Sequence, residues 1–194
     1  MATNLSNWQN FLNRGTDASN VGSASVQQQP QNIKNVDDIW EEALRFKLNR
    51  DPLDIRGVVE KIFKLKLQEQ DLKKDASGFL EQINDTWCII VNKYESETRK
   101  RFTIAHELGH YVCHRNEYNS INQYDQIFFR DENTNPMEQE ANDFAAKLLM
   151  PEHIFYKYIR EGHNTINLLA EKFNLSTSAV KYRAYKLGLI SEYA

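Results

Sequence analysis

Residues 101–114 read RFTIAHELGHYVCH and contain the pattern H-E-x-x-H at His106, Glu107 and His110. The small and apolar residues around the pattern predict a single helix packed in a core. Two helical positions four residues apart lie roughly 40° apart around the axis and about 6 Å apart along it. His106 and His110 can therefore reach one metal ion from adjacent turns, and both are predicted metal ligands.

Glu107 lies on the flank of the histidine pair, where a carboxylate can accept a proton from water without binding the metal. We therefore predict a zinc-dependent peptidase that holds one Zn²⁺ ion and uses Glu107 as its catalytic residue. Gly109 supports this interpretation, because a glycine inside a helix costs roughly 1 kcal/mol and indicates close approach by backbone or ligand. The alternative is an amphipathic helix with two surface histidines whose hydrogen bonds are satisfied.

A catalytic zinc site has three protein ligands and leaves its fourth position to water, so the pattern requires one more donor. His114 follows His110 by four residues, but it lies about 12 Å along the helix axis from His106. That separation is too long for the three imidazoles to share one ion. We therefore expect His114 to pack beside the site or to support it, without binding the metal.

The third ligand is expected within residues 136–151, which read PMEQEANDFAAKLLMP. Pro136 suits the first turn of a helix, and Pro151 closes the segment. Glu140 stands immediately before an apolar stripe, so we predict that it borders the buried face and binds the metal. Glu138 lies about 200° around the helix from Glu140, and we expect it only to favour the helix N-terminus. The stripe consists of Ala141, Phe144, Ala145, Leu148 and Leu149.

The stretch 101–114, followed by EANDFAAKLLMP, resembles the ImmA/IrrE family of metallo-endopeptidases. The resemblance extends over roughly residues 50 to 190 and includes both segments in the expected order and spacing. It implies a gluzincin-type zinc site and a protein substrate, commonly a transcriptional repressor with a helix-turn-helix domain, whose cleavage relieves repression of mobile elements or stress genes. In this sequence the implied site consists of His106, His110 and Glu140 as ligands and Glu107 as the catalytic base.

Composition excludes several other classes of protein. The 194 residues are 41% hydrophobic and 26% charged with a net charge of −3, which gives no signature for nucleic acid or membrane binding. Two cysteines, Cys88 and Cys113, are too few for a disulfide scaffold and are expected to be buried thiols. Because the N-terminus also lacks a charged-then-apolar signal pattern, we expect a cytoplasmic protein.

The predicted elements favour an α+β fold that has a small three-stranded antiparallel sheet with a helical zincin-like core and a C-terminal helix-turn-helix-like segment. Three parts are predicted along the chain: a disordered polar tail at 1–35, a zinc metallopeptidase domain at 36–155 and the helix-turn-helix-like segment at 156–194. The tail follows from its Asn, Gln, Ser and Gly content. Before the motif we predict helices at 36–48 and 53–64, and strands at 65–69, 78–83 and 86–92.

Two predicted helices, at about 164–173 and 176–187, give the C-terminal segment its helix-turn-helix-like pattern. The second helix carries Lys181, Arg183 and Lys186, and the whole segment contains six Lys or Arg against three Glu. This surplus is too small for a strong nucleic-acid footprint, so packing or partner recognition is favoured over DNA binding. Two other functions stay open: a binding module that grips a repressor or toxin without cutting it, and a DNA-binding regulator.

Overall fold

The computed structural model describes residues 33, 35–72, 76–118 and 136–192. Most of the predicted polar tail therefore lies outside the described residues. No helix of the described residues is both long and apolar enough to cross a lipid bilayer. In chain order the elements are α1 (Val36–Arg45), α2 (Ile55–Gly57), β1 (Lys66–Gln70), β2 (Gly78–Ile83), β3 (Thr86–Asn92), α3 (Glu97–Tyr118), α4 (Pro136–Leu149), α5 (Glu152–Arg160), α6 (Ile166–Phe173) and α7 (Thr177–Lys186).

Helix α1 begins with a reciprocal cap. The Asp38 N–H donates to Asn35 Oδ1 and the Asn35 N–H donates to Asp38 Oδ2, both at 3.0 Å, which satisfies two backbone donors at the helix start. Ile33, just before the cap, is buried in the core. The end of the predicted tail thus belongs to the folded part. The predicted helix at 53–64 is the short α2 followed by a π-helical turn, Val58–Ile62.

The three strands form one mixed sheet in the order β1-β3-β2. Strand β3 is central, pairing antiparallel with β2 and parallel with β1, so the prediction of an antiparallel sheet is wrong. The chain passes from β1 to the far edge and returns through a hairpin into the middle. Asn84 and Asp85 form the hairpin turn with φ of 48° and 60°, as a two-residue type I′ turn requires.

A network of ion pairs fixes the first turn of α3 against strand β1. Lys100 Nζ lies 2.7 Å from Glu69 Oε2 and 3.2 Å from Glu97 Oε1, while Arg56 Nη2 lies 2.7 Å from Glu69 Oε1. Hydrogen bonds from Lys100 and then from Arg56 hold the pKa of Glu69 below its ordinary value. The sheet therefore sets the position of the helix that carries the H-E-x-x-H pattern. The helix itself begins at Glu97, before the motif residues His106, Glu107 and His110.

Helices α3 and α4 touch through their backbones at Gly109. A Cβ atom built on Gly109 would lie 3.1 Å from Phe144 Cδ1 and 3.2 Å from both the Cα and the carbonyl oxygen of Ala141. These separations are shorter than ordinary van der Waals contact. A side chain at residue 109 would require its neighbours to move by a few tenths of an ångström, so packing explains the glycine inside the motif.

Helices α6 and α7 have nearly the predicted bounds and pack on the rest of the chain. Asn174 connects them in the left-handed conformation (φ 52°), and Ser176 caps α7. In α7, Lys186 Nζ lies 2.9 Å from Asp143 Oδ2, and the buried Arg183 donates from Nε to the Met150 carbonyl at 2.9 Å. The predicted boundary between residues 155 and 156 falls inside α5. The helix-turn-helix-like character of this segment stays a prediction.

Replacement of Gly109 by valine is expected to push α3 and α4 apart, because the added side chain meets the Ala141 backbone. The free energy of unfolding, measured by urea denaturation, should fall by about 1–3 kcal/mol, which is the usual cost of overpacking. Asn116→Val is the control, since Asn116 is exposed on the same helix and its substitution tests only the helix propensity of valine. Equal stability of the two variants would contradict the close approach.

Candidate metal centre

His106 and His110 face the same space from adjacent turns of α3. Their rings meet edge to face with centroids 4.7 Å apart, and their Nε2 atoms lie 3.0 Å apart. His110 is buried and His106 is half-buried. The spacing in the sequence thus brings two nitrogen donors to one point, as predicted from helix geometry.

Glu138 places a carboxylate against both imidazoles. Its Oε2 lies 3.1 Å from His106 Nε2, and its Oε1 lies 3.2 Å from His110 Nε2. One ligand atom from each of these residues lies within 4.8 Å of the other two. Glu138 belongs to the first turn of α4, so the packing of α3 against α4 brings the three donors together.

Glu140, the predicted third ligand, does not reach the histidine pair, and Glu138 takes the place expected for it. Glu140 Oε2 lies 3.1 Å from His114 Nε2 instead. The reason is rotational: Ala141 faces α3, and at about 100° per residue Glu138 lies roughly 60° from it around the axis, whereas Glu140 lies roughly 100° from it. The glutamate next to the apolar stripe in sequence is therefore not the one nearest the helix contact.

Asn142 is a site residue that the sequence analysis missed. Its Oδ1 lies 3.0 Å from His106 Nδ1. Because an amide oxygen only accepts hydrogen bonds, His106 Nδ1 donates its proton to Asn142, which leaves Nε2 as the ring nitrogen that would bind a metal. The signal in the sequence was the spacing, because Asn142 follows Glu138 by four residues and shares its helix face.

His114 lies behind His110, away from the cluster. The Nδ1 atoms of the two rings are 3.1 Å apart, and His114 Nε2 is the atom that meets Glu140. His114 is almost fully buried, with 1% of its surface exposed. The structure therefore keeps it out of the group of converging donors and places it in contact with one of them, which agrees with its expected supporting position.

Glu107 follows His106 on the motif helix and is buried, with 4% of its surface exposed. Its Oε2 has no hydrogen-bond partner among the residues that the structure describes. Buried carboxylate oxygens are nearly always hydrogen-bonded, and exceptions often mark a reactive group or the place of a water or ion. Glu107 therefore offers an acceptor oxygen that no described residue occupies.

The electrostatics of the cluster favour an ionised carboxylate beside the imidazoles. Burial lowers the pKa of His106, but the hydrogen bond with Glu138 and the charge of Glu107 outweigh burial, so this pKa is raised. Burial raises the pKa of Glu138, but hydrogen bonds with His106 and His110 outweigh it and hold the Glu138 pKa far below its ordinary value. The carboxylate is therefore in the charged form that a metal ligand requires.

These donors fit a zinc ion. Two imidazole nitrogens and a carboxylate form a ligand set found in catalytic zinc sites, and tetrahedral bonds of about 2.0–2.1 Å place neighbouring ligand atoms roughly 3.4 Å apart. The observed separations are 3.0, 3.1 and 3.2 Å. Other divalent ions accept the same donors, so these residues form a candidate metal site whose geometry does not select one metal.

Residues 60–185 match the IrrE N-terminal-like domain, which defines a family of peptidases. The chain belongs to this family. The matched range contains the motif helix, the helix that carries Glu138, helix α6 and all of α7 except its last residue. The resemblance drawn from the two sequence segments is thereby confirmed, and family membership supports a peptidase role.

One curated protein and one solved structure are similar to this chain. Metallopeptidase ImmA from Bacillus subtilis (strain 168) is 26% identical over 136 residues, which cover 69% of this chain and 75% of that protein. The solved structure of a Mycobacterium tuberculosis transcriptional regulator is similar with a TM-score of 0.52 and 20% identity, covering 77% of this chain. The match covers 46% of that regulator, so this chain spans less than half of its length. At this identity the likeness concerns the fold alone.

In the metal-free protein, Glu138→Gln is expected to lower the pKa of His106, because Glu138 raises it through a hydrogen bond and through its charge. The measurement is an NMR titration of the His106 ring protons in the presence of a chelator. Glu140→Gln is the matched control, since the Glu140 carboxylate bonds to His114 and not to His106. An unchanged His106 pKa in Glu138→Gln would contradict the contact described above.

Proposed function

We propose that the protein is a zinc-dependent metallo-endopeptidase that cleaves a specific regulatory protein in the cytoplasm. In this proposal His106, His110 and Glu138 bind one Zn²⁺ ion, and Glu107 is the catalytic base. Glu138 replaces Glu140 as third ligand, because the Glu138 carboxylate contacts both imidazoles.

One observation carries the proposal: Glu107 Oε2, buried and without a partner among the described residues, belongs to the helix turn that carries the two histidines of a converging His–His–Glu set. Three ligands alone would also suit a structural metal site, where a fourth protein donor usually closes the coordination. Among the described residues, the cluster of ligand atoms contains only His106, His110 and Glu138. Three protein donors and a free carboxylate are the arrangement expected for hydrolysis.

Zinc bound at this cluster would polarise the scissile peptide carbonyl and lower the pKa of a water molecule. Glu107 then accepts a proton from the water as the water oxygen bonds to the carbonyl carbon. Glu107 returns this proton to the amine nitrogen as the peptide C–N bond breaks. Asn142 holds the His106 ring with its Nε2 lone pair towards the cluster, so the ligand does not need to reorient. No redox step or further co-reactant is required.

The substrate that we propose is a transcriptional regulator, such as a repressor with a helix-turn-helix domain. Support comes from the family to which the chain belongs and from the resemblance of its motif segments to peptidases that act on such repressors. A protein of similar fold is itself named a transcriptional regulator. A substrate of this kind would make the enzyme an anti-repressor, as expected for a function linked to mobile genetic elements.

The structure gives less support to DNA binding through α7. Arg183 is buried and donates its Nε hydrogen to the Met150 carbonyl, so it is not on the surface. Lys186 forms an ion pair with Asp143. Two of the three basic residues that suggested a DNA-binding face therefore hold α7 against the remainder of the chain, although Lys186, like Lys181, is exposed at the surface.

Metal analysis tests the ligand set. We expect one zinc ion per chain in the wild type and a loss of zinc in His106→Ala, His110→Ala and Glu138→Ala, because each change removes a donor. His153→Ala is the control, since His153 is an exposed histidine outside the cluster. Zinc content, measured by mass spectrometry of metals after dialysis, should stay at the wild-type level in this control. Full zinc occupancy in Glu138→Ala would remove Glu138 from the ligand set.

Glu107→Gln tests catalysis separately from metal binding. The variant should keep its zinc and lose cleavage by roughly 10²–10⁴-fold or more, which is the usual contribution of general acid–base catalysis. Mass spectrometry of new protein termini in cells that express wild type or Glu107→Gln should reveal one regulator cut only by the wild type.

A different outcome separates the peptidase from a non-cleaving binding module. If the wild type and Glu107→Gln both relieve the action of the same repressor or toxin and neither produces a fragment of it, the protein binds its partner without cutting it. If new termini are equally abundant with wild type and Glu107→Gln, another protease makes them.

A further inference from the structure

His110, His114 and Glu140 form a continuous line of hydrogen bonds that leads away from the metal cluster. The two Nδ1 atoms of His110 and His114 are 3.1 Å apart, and His114 Nε2 lies 3.1 Å from Glu140 Oε2. Both histidines are buried, with exposures of 2% and 1%, while the Glu140 side chain is 46% exposed. The line therefore starts at the cluster, crosses the helix interface and ends at the surface.

Hydrogen positions along this line follow from the ligand role of His110. A neutral imidazole has one N–H and one acceptor nitrogen. If His110 gives the Nε2 lone pair to a metal, its proton is on Nδ1 and is donated to His114 Nδ1. His114 then carries its own proton on Nε2 and donates it to the Glu140 carboxylate. Each bond has one donor and one acceptor, so a single arrangement satisfies the whole line.

We propose that His114 and Glu140 are positioning residues that hold His110 in the tautomer and ring orientation required for metal binding. This inference rests on the proposed function, because it assumes a metal at His106, His110 and Glu138. It assigns a purpose to Glu140, the residue that the sequence placed in the ligand set and the structure places outside it. It also explains why a second histidine follows His110 at helical spacing.

The two proposed ligand histidines are thus oriented in different ways. His106 is held directly by the amide of Asn142. His110 is held through His114 by the carboxylate of Glu140, which lies two residues before Asn142 on α4. A carboxylate at the end of such a line raises the basicity of the ligand imidazole, and partners of this kind typically contribute about 10–100-fold to metal affinity. Both supports come from α4, so this helix positions both histidines in addition to supplying Glu138.

The test measures metal affinity in variants that keep or remove each acceptor. His114→Phe keeps a ring and removes both nitrogens, and His114→Asn keeps an oxygen near the position of Nδ1. Glu140→Ala removes the final acceptor, and Glu140→Gln restores an oxygen without the charge. His153→Phe is the matched control, because His153 is exposed and lies outside the line. Zinc affinity is measured by competition with a chelator, and Co²⁺ absorption spectra report the ligand geometry.

We expect His114→Phe to weaken zinc binding by about 10–100-fold and to shift the Co²⁺ absorption bands. His114→Asn should recover part of the affinity, and Glu140→Gln should bind zinc more tightly than Glu140→Ala. His153→Phe should match the wild type in both measurements. Thermal unfolding with a chelator present checks that the fold is intact. If His114→Phe does not fold, the two Glu140 variants decide, because that side chain is half-exposed.

Three results would overturn the positioning proposal. Wild-type affinity and unchanged Co²⁺ spectra in both Glu140→Ala and the folded His114 variants would overturn the positioning proposal and leave the proposed function standing. Loss of zinc in Glu140→Ala as complete as in Glu138→Ala would make Glu140 a ligand and also overturn it. If wild-type zinc binding does not depend on His106, His110 or Glu138, the proposed function fails first and the positioning proposal fails with it.

Discussion

The close approach of α3 and α4 at Gly109 is the constraint on which the site depends. The histidines of the cluster lie on α3, and the carboxylate and amide that contact them lie on α4. Neither helix contains a complete set of donors. A side chain at residue 109 would push the helices apart by a few tenths of an ångström and would lengthen the contacts across the interface. The distances from Glu138 to the two imidazoles are therefore set by the absence of a side chain at residue 109.

Contacts elsewhere in the fold keep this interface in register. The ion pairs of Lys100 and Arg56 with Glu69 fix the start of α3 on the sheet. On the other side, α7 contacts α4 through Asp143, which accepts a hydrogen bond from Tyr182 and pairs with Lys186. Each helix of the site is thus held by a separate part of the chain. The C-terminal helices are in this sense part of the support for the metal cluster.

Elements set by local patterns were predictable from the sequence. The bounds of β2 and β3 agree with the apolar runs and with the Asn84-Asp85 turn, and the histidine pair follows from helical spacing alone. The order of the strands was not predictable in this way, because a parallel β1–β3 pair depends on a long-range connection that leaves no local signal. The mixed sheet was therefore missed for a reason of topology.

The placement of Glu138, and not Glu140, beside the histidine pair was unpredictable for a related reason. Both glutamates lie near the buried stripe of α4, and the sequence shows the stripe without showing which part of it contacts α3. Adjacency in sequence favoured Glu140, whereas rotation about the helix axis from Ala141 favours Glu138. The contact of Gly109 with Ala141 decides between them, and that contact joins residues 32 positions apart. For the same reason the sequence did not indicate that Asn142 contacts His106, or that His114 connects His110 to Glu140.

The unpartnered oxygen of Glu107 has a thermodynamic consequence. A buried polar group without a hydrogen bond costs about 1–3 kcal/mol, and more when it is charged, against a net stability of roughly 5–15 kcal/mol for a whole domain. Glu107 Oε2 has no partner among the described residues, so a water or an ion bound beside it would remove a cost of this size. If Glu107 is the proposed catalytic base, the fold gives up some stability in order to keep a reactive carboxylate away from bulk water.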